Sequence, residues 1–207
     1  MKKAAISFEA EIQKLKENLA EKNLLLSLTK DLARIKGRKE LMHLIKERFQ
    51  RMFEFEQCTI STLSADKQTF RIFYIDPAPS EIKKHKEYKK LVTERNPVND
   101  GLYNLILQSA TPVVFDINAM STAGNGPFYV DVLKRGNIKE LLGVVLMYEN
   151  EPLGILSFIS KDYGGFKPVV FPLVQSIAYQ ISPSVINTLT LDAIRQREQA
   201  MLLERGE

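Results

Sequence analysis

From Ile138 to Ser160 the chain reads IKELLGVVLMYENEPLGILSFIS, two apolar runs joined by a polar turn, and no other stretch restricts the fold as much. Val144, Val145, Leu146 and Met147 lead into Tyr148-Glu149-Asn150-Glu151-Pro152, and Leu153, Ile155, Leu156, Phe158 and Ile159 lead out, the pattern of a β-hairpin. Neither run alternates cleanly between apolar and polar residues. A strand apolar on both faces must be covered on both, so this hairpin belongs in the middle of a sheet with material packed above and below it.

The rest of the chain supplies that material. Phe8, Ile12, Leu15, Leu19 and Leu26 form an a/d seam interrupted by Lys22, and the mixed charges between them suit the outer faces of a helix that pairs with a partner. From Leu24 the apolar face broadens through Leu25, Leu28, Leu32 and Ile35, as a helix does when it lies on its own domain. Gly37 breaks this helix, and Glu40 to Phe53 predicts a second amphipathic one. Residues 57–63 and 69–75 predict a looser hairpin, and 76–97 reads as polar and irregular. Asn99 or Asp100 is placed to cap a helix near 102–109, 112–116 predicts a short strand, and 117–137 reads as a Gly-Asn-Gly-Pro loop followed by a helical piece near 129–135. A long helix starts near Val169, carries Leu173, Val174, Ile177, Ala178, Ile181, Val185 and Ile186, and continues to Met201 and Leu202, with Pro183 expected to kink it. Terminal helices on one face of an antiparallel sheet make an α+β domain, and loops are left to cover the other face.

Composition excludes several classes. With 207 residues, 44% of them hydrophobic, the chain is large enough for one good core with helical extensions. The single cysteine, Cys58, rules out an internal disulfide or a Cys-rich zinc site and suits a reducing compartment. No signal-like segment and no membrane-spanning run is read in the sequence, so the expectation is a cytoplasmic protein without a membrane partner. A net charge of +4 permits weak attraction to nucleic acid without arguing for it. The one dense basic cluster, Lys83, Lys84, Lys86, Lys89 and Lys90 around His85 and Tyr88, reads as a solvated face rather than a phosphate site, so no direct nucleic-acid partner is expected.

VNDGLYNLILQSATPVVFDI, then GNIKELLGVVLMYENEPLGILSFISK, then FPLVQSIAYQISPSVIN resembles the core of a GAF domain over about residues 24–188. One departure is Val145, where many members carry Pro. The segment LLLSLTKDLARIKGRKELMHLIKERF is similar to GAF segments of bacterial transcriptional regulators that work with the alternative sigma factor. Those regulators also carry an ATPase and a DNA-binding domain, neither of which lies in these residues. The resemblance implies a six-stranded antiparallel sheet sandwiched between terminal helices and pocket loops, a small-molecule pocket on the loop side, and dimerisation through the helices. The expected division is a coiled-coil signalling helix over 1–23, the GAF domain over 24–188, and a C-terminal signalling helix over 189–207.

Chemistry is sparse. His43 and His85 share no ligand spacing, and Cys58 reads as a small core hydrophobe. Asp76, Asp100 and Asp116 sit at element ends, where carboxylates cap helices and turns. Neither an enzyme nor a cofactor is expected. The resemblance agrees: relatives that reduce methionine sulfoxide use several cysteines, bilin binders need a Cys or His in the pocket loops, and the cyclic-nucleotide signature of Asn-Lys, Phe and Asp-Glu is not traceable here.

By strand parity Thr59, Ser61 and Leu63 share one face and Cys58, Ile60 and Thr62 the other. The resemblance implies that the Thr59 position, and so the Ser61 face, looks onto the ligand. Walls are then expected from Leu102, Tyr103 and Ile106, from Phe115, and from Phe128, Tyr129 and Val132. The expected protein is a sensory domain that binds an unknown small molecule and forms a parallel homodimer, signalling to adjacent output domains through its helices. A ligand-free interaction module of the same fold is the alternative, and a small redox enzyme is disfavoured by the single cysteine.

Overall fold

The computed structural model describes residues 2–35, 37–124 and 126–204. Among these, six strands form one antiparallel sheet: β1 (Gln57–Leu63), β2 (Thr69–Ile75), β3 (Asn96–Pro97), β4 (Val113–Asp116), β5 (Glu140–Tyr148) and β6 (Glu151–Ser160). Their order is β3-β2-β1-β6-β5-β4, so the apolar hairpin and β1 occupy the middle, as the uninterrupted hydrophobic runs require. Between β5 and β6 the chain reverses in two residues, Glu149 and Asn150, both at positive φ (51° and 66°). That pair of left-handed residues matches the twist of the flanking strands.

Seven helices complete the described chain: α1 (Lys2–Leu32), α2 (Arg38–Gln50), α3 (Lys86–Thr93), α4 (Tyr103–Leu107), α5 (Ile117–Ala123), α6 (Phe128–Arg135) and α7 (Phe171–Glu204). α1, α2 and α7 cover one sheet face. Leu41, Met42, Ile45 and Phe49 recur at helical spacing on α2 and bury against Cys58, Ile60, Leu142, Leu146, Leu156 and Phe158, while α7 adds Val174, Ile177, Ala178, Ile181 and Val185. Phe158 is the hub, its ring 4.6 Å from Phe49, 5.0 Å from Phe55 and 5.3 Å from Phe53. Side-chain alternation sends Thr59, Ser61, Ile155, Ser157 and Ile159 to the opposite face, under α3, α4 and α6.

Several expectations need correction. The segment 76–97, read as irregular, holds a 3-10 turn (Glu81–Lys84), α3 and the short edge strand β3, which pairs with Thr69 and Phe70. Ile117–Ala123 is a helix rather than a loop: the Asp116 carboxylate accepts from the Ala119 N–H at its start, and Gly124 ends it at φ 68°. Asn125 of the Gly-Asn-Gly-Pro loop, the Phe8 side chain and residues 205–207 lie outside what is described. α7 runs unbroken through Pro183, which lies on its exposed side. The stretch 168–203 is long and apolar enough to cross a bilayer by length and composition, contrary to the sequence reading, but its apolar stripe packs on the sheet.

β2 carries an irregularity that sets the site. Ile60 faces Tyr74 but Ser61 faces Ile72, so Phe73 is an extra residue. Phe73 and Tyr74 both join the helix-side core, and Phe70, Ile72 and Ile75 line the loop side. α7 is tied to this point, because Arg38 stacks over the Phe73 ring at 4.2 Å, donates to the Phe73 carbonyl at 3.0 Å and pairs with Asp192 at 2.5 Å.

Replacing Phe158 by Ala leaves a hole among three rings and is expected to destabilise the fold by about 3–5 kcal/mol in urea unfolding, whereas a loss under about 1 kcal/mol would contradict this core assignment. Cys58, fully buried on the helix side, has its thiol pushed up to about 12, first by burial and then by the charge of Asp76. It should stay unreactive towards a disulfide reagent at mildly alkaline pH and react only on unfolding; stoichiometric reaction of the native protein would refute the placement.

Candidate functional site

The loop-side face encloses a cavity of about 80 Å³. Its floor is the centre of the sheet, where cross-strand register brings Thr59 opposite Ser157 and Ser61 opposite Ile155. Gln57, one step along the same face of β1, closes one end. Ile106 and Tyr103 from α4, Tyr129 and Leu133 from α6, and Tyr88 and Leu91 from α3 form the walls. Gly143 makes the approach of α4 possible: a Cβ there would come within 2.4 Å of Ile106 Cδ1.

Most polar groups in the cavity satisfy one another. Thr59 Oγ1 and Ser157 Oγ lie 2.6 Å apart, and Ser61 Oγ lies 2.9 Å from the Tyr103 hydroxyl. Tyr103 stacks on Phe70 with ring centroids 3.8 Å apart, which fixes its hydroxyl over Ser61. The Asp100 carboxylate accepts from the Leu102 and Tyr103 N–H groups through one oxygen and from the Tyr129 hydroxyl at 2.6 Å through the other. Burial raises the pKa of Tyr103 and Tyr129, the nearby Asp100 charge adding to the effect in both, so both rings stay neutral donors.

Two groups remain unmatched. Gln57 is 1% exposed; its Nε2 donates to the Ala78 carbonyl at 3.2 Å, while its Oε1 has no partner. The Tyr88 hydroxyl on α3 is also buried and unpartnered, and burial pushes its pKa up to about 12, helped by the charge of Asp76. Buried polar groups are nearly always paired, so these two atoms, on residues that line the cavity, stand out as lacking a partner.

Of the residues expected from the sequence, Thr59, Ser61, Leu102, Tyr103, Ile106 and Tyr129 line this cavity. Phe115, Phe128 and Val132 do not. Phe115 packs at the margin of the loop-side core, and Val132 is buried within that core without reaching the cavity. Phe128 is 38% exposed, with Lys90 Nζ 5.6 Å from its ring centre. The reason is helical: on α6 Tyr129 and Leu133, four apart, share the face turned to the cavity, Phe128 lies round the helix from them, and Val132, at the edge of that face, packs into the core beside it. Gln57 and Ser157 share the parity of Thr59 and its partner position, a signal available in sequence once the β1–β6 register is known. Tyr88 and Leu91 had no such signal, lying in a segment dominated by lysine.

The Lys-rich cluster is only partly a solvated face. Lys84, Lys86, Lys89 and Lys90 are exposed, but Lys83 Nζ donates to the carbonyls of Asp76 (2.6 Å) and Ala78 (2.5 Å). Asp76, buried, does more than cap a turn: it accepts from the Ala78 N–H at 3.0 Å and pairs with Lys46 of α2 at 2.9 Å. The opposite sheet face has a wider cleft of about 370 Å³ beside α2, where His43, Lys39, Lys46 and Tyr74 lie. Among the described residues no group of three His, Cys, Asp or Glu side chains is placed to hold a metal ion.

No family model matches the sequence, and no curated protein matches it. The fold has well-matched solved relatives. The GAF domain of a two-component sensor histidine kinase from Bacillus halodurans superimposes with a TM-score of 0.60 at 12% identity, covering 76% of this chain and 99% of that one. The GAF domain of a phosphoenolpyruvate-protein phosphotransferase from Coxiella burnetii gives 0.61 at 14% identity, covering 84% and 96%. A far-red-absorbing dark-state protein with bound biliverdin IXa gives 0.56 at 15% identity, covering 80% and 98%. The six-stranded antiparallel sheet with its helical and loop layers is therefore the GAF fold, the fold these signalling domains share.

Proposed function

We propose that the chain is a sensory domain of bacterial signal transduction or transcription regulation, not an enzyme, which binds a small molecule in the loop-side cavity and passes its occupancy to the terminal helices. The observation that carries the reading is the unmatched pair of polar atoms, Gln57 Oε1 and the Tyr88 hydroxyl, in an otherwise apolar and self-satisfied cavity. Gln57 also holds the Ala78 carbonyl, which shares Lys83 with Asp76, and Asp76 pairs with Lys46 on α2. A ligand competing for Gln57 would act on a polar chain that ends on the helix layer.

The output side of the proposal is a parallel homodimer. Ile12, Leu15, Leu19 and Leu26 on α1 are 38–63% exposed, and Leu191, Ile194, Met201 and Leu202 on α7 are 43–53% exposed. These two apolar seams extend past the body of the domain, where a second copy would cover them. A signal then requires the ligand to bind two arrangements of these helices with different affinity. The setting proposed is the cytoplasm, with output domains adjoining the helices.

The alternative of a ligand-free interaction module draws support from the small cavity and from the Tyr103–Phe70 stack that fills part of its space. Spin labels at Leu202→Cys separate the two readings. A parallel dimer gives one short distance, set by helices about 8–10 Å apart plus the label arms, and a cavity-bound molecule should shift it. A monomer, or labels separated by roughly the 50 Å length of α7, would overturn the parallel dimer. A distance unchanged on ligand binding would leave only the interaction module.

A further inference from the structure

Taking the cavity as a binding site, as proposed above, we infer that its ligand is uncharged, compact and largely apolar, with one hydroxyl that donates to Gln57 Oε1 and accepts from the Tyr88 hydroxyl. No ionisable acid or base among the cavity-lining residues could meet a charged ligand, since the polar groups there are amide and hydroxyl. The charges that act on cavity residues are engaged elsewhere: Asp100 by two backbone N–H groups and Tyr129, and Asp76 by the Ala78 N–H and Lys46, while Lys83 beside them is held by two carbonyls. A phosphate or carboxylate entering here would lose its water and gain no counter-charge.

The donor and acceptor pattern narrows the class further. Ser61 donates to the Ile155 carbonyl and accepts from Tyr103, so this pair offers a ligand little, while Thr59 and Ser157 share one bond and keep a single hydroxyl proton between them. Gln57 is different. Its Nε2 is committed to the Ala78 carbonyl, which fixes the amide so that the free end is an acceptor. The Tyr88 hydroxyl, neutral, can donate. An acceptor and a donor on one apolar cavity match a single hydroxyl, which has one proton to give and lone pairs to receive. Size sets the other limit. A cavity of about 150 Å³ accommodates benzene, so one of about 80 Å³ suits a small alcohol of about three or four carbons, and isoamyl alcohol or a single ring only once the wall yields. α3 is the wall that can yield, because none of its residues is fully buried.

The test is calorimetric titration of the full chain with phenol, isoamyl alcohol, toluene, benzoate and cyclic GMP, with methyl signals of Ile106 and Ile155 locating the binding. Phenol or isoamyl alcohol should bind at least about tenfold more tightly than toluene. Whichever of the two is tighter tells an aromatic from an aliphatic ligand. Gln57→Met, which keeps length and removes the amide, should erase that preference while toluene still binds. Tyr88→Phe, on the less buried α3, should reduce it. Benzoate or cyclic GMP binding in the cavity as tightly as phenol would overturn the uncharged class and leave the sensory reading standing. Toluene equal to phenol would overturn the role of Gln57 and Tyr88. Failure of every probe to perturb the cavity methyls would overturn both.

Discussion

The two-sided apolarity of β5 and β6 governs the rest of the molecule. Neither strand can present a face to water, so the sheet has to be covered twice, and the chain does so with two unequal layers. On one side three helices bury leucine, isoleucine and phenylalanine around Phe158. On the other, short helices and turns span the sheet, and their packing leaves a cavity. Four polar residues of the central strands, Gln57, Thr59, Ser61 and Ser157, face that thinner side. Register makes this possible: Thr59 meets Ser157 across β1 and β6 while Cys58 meets Phe158 on the reverse face.

The layers are not independent. At the end of β2 the chain passes from one face to the other, and buried Asp76 sits at that crossing, bonded to the Ala78 N–H and paired with Lys46. Ala78 in turn holds Gln57 at the cavity. A few residues earlier, the extra residue in β2 turns Phe73 towards Arg38, which binds Asp192 of α7. β2 thus touches the cavity with Phe70 and Ile72 and, through Phe73 and Arg38, reaches α7. Buried charge placed this way is a poor source of stability but a good device for fixing one arrangement, since removing either partner strands the other.

Much of this was legible in the sequence. The hairpin, β1, α2 and the core stripe of α7 follow from periodicity alone, because each buries a wide apolar face; strand parity puts Thr59 and Ser61 on one face, and the GAF resemblance turns that face to the pocket. What escaped reading lies in the thin layer. α3 carries three cavity-facing residues, Tyr88, Leu91 and Val92, among lysines, too weak a stripe to stand out. β3 is two residues long and exists only because β2 is there to pair with it. α5 begins at an Asp cap after a strand of four residues, and no hydrophobic period announces it. Phe128 and Val132 fall outside the wall because the chain after Gly126 is already helical at Phe128, and the cavity face of that helix carries Tyr129 and Leu133.

On the proposed reading the two covers differ in strength, a firm helical base on one side and on the other a thinner layer that opens to admit a molecule. Native-state amide hydrogen exchange measures this directly. Amides of α3 should exchange through local opening at a free energy well below that of β5, β6 and α2, which should exchange only with global unfolding. Protection of α3 equal to that of β6 would contradict the account, because a cavity sealed as firmly as the core has no way to be filled or emptied.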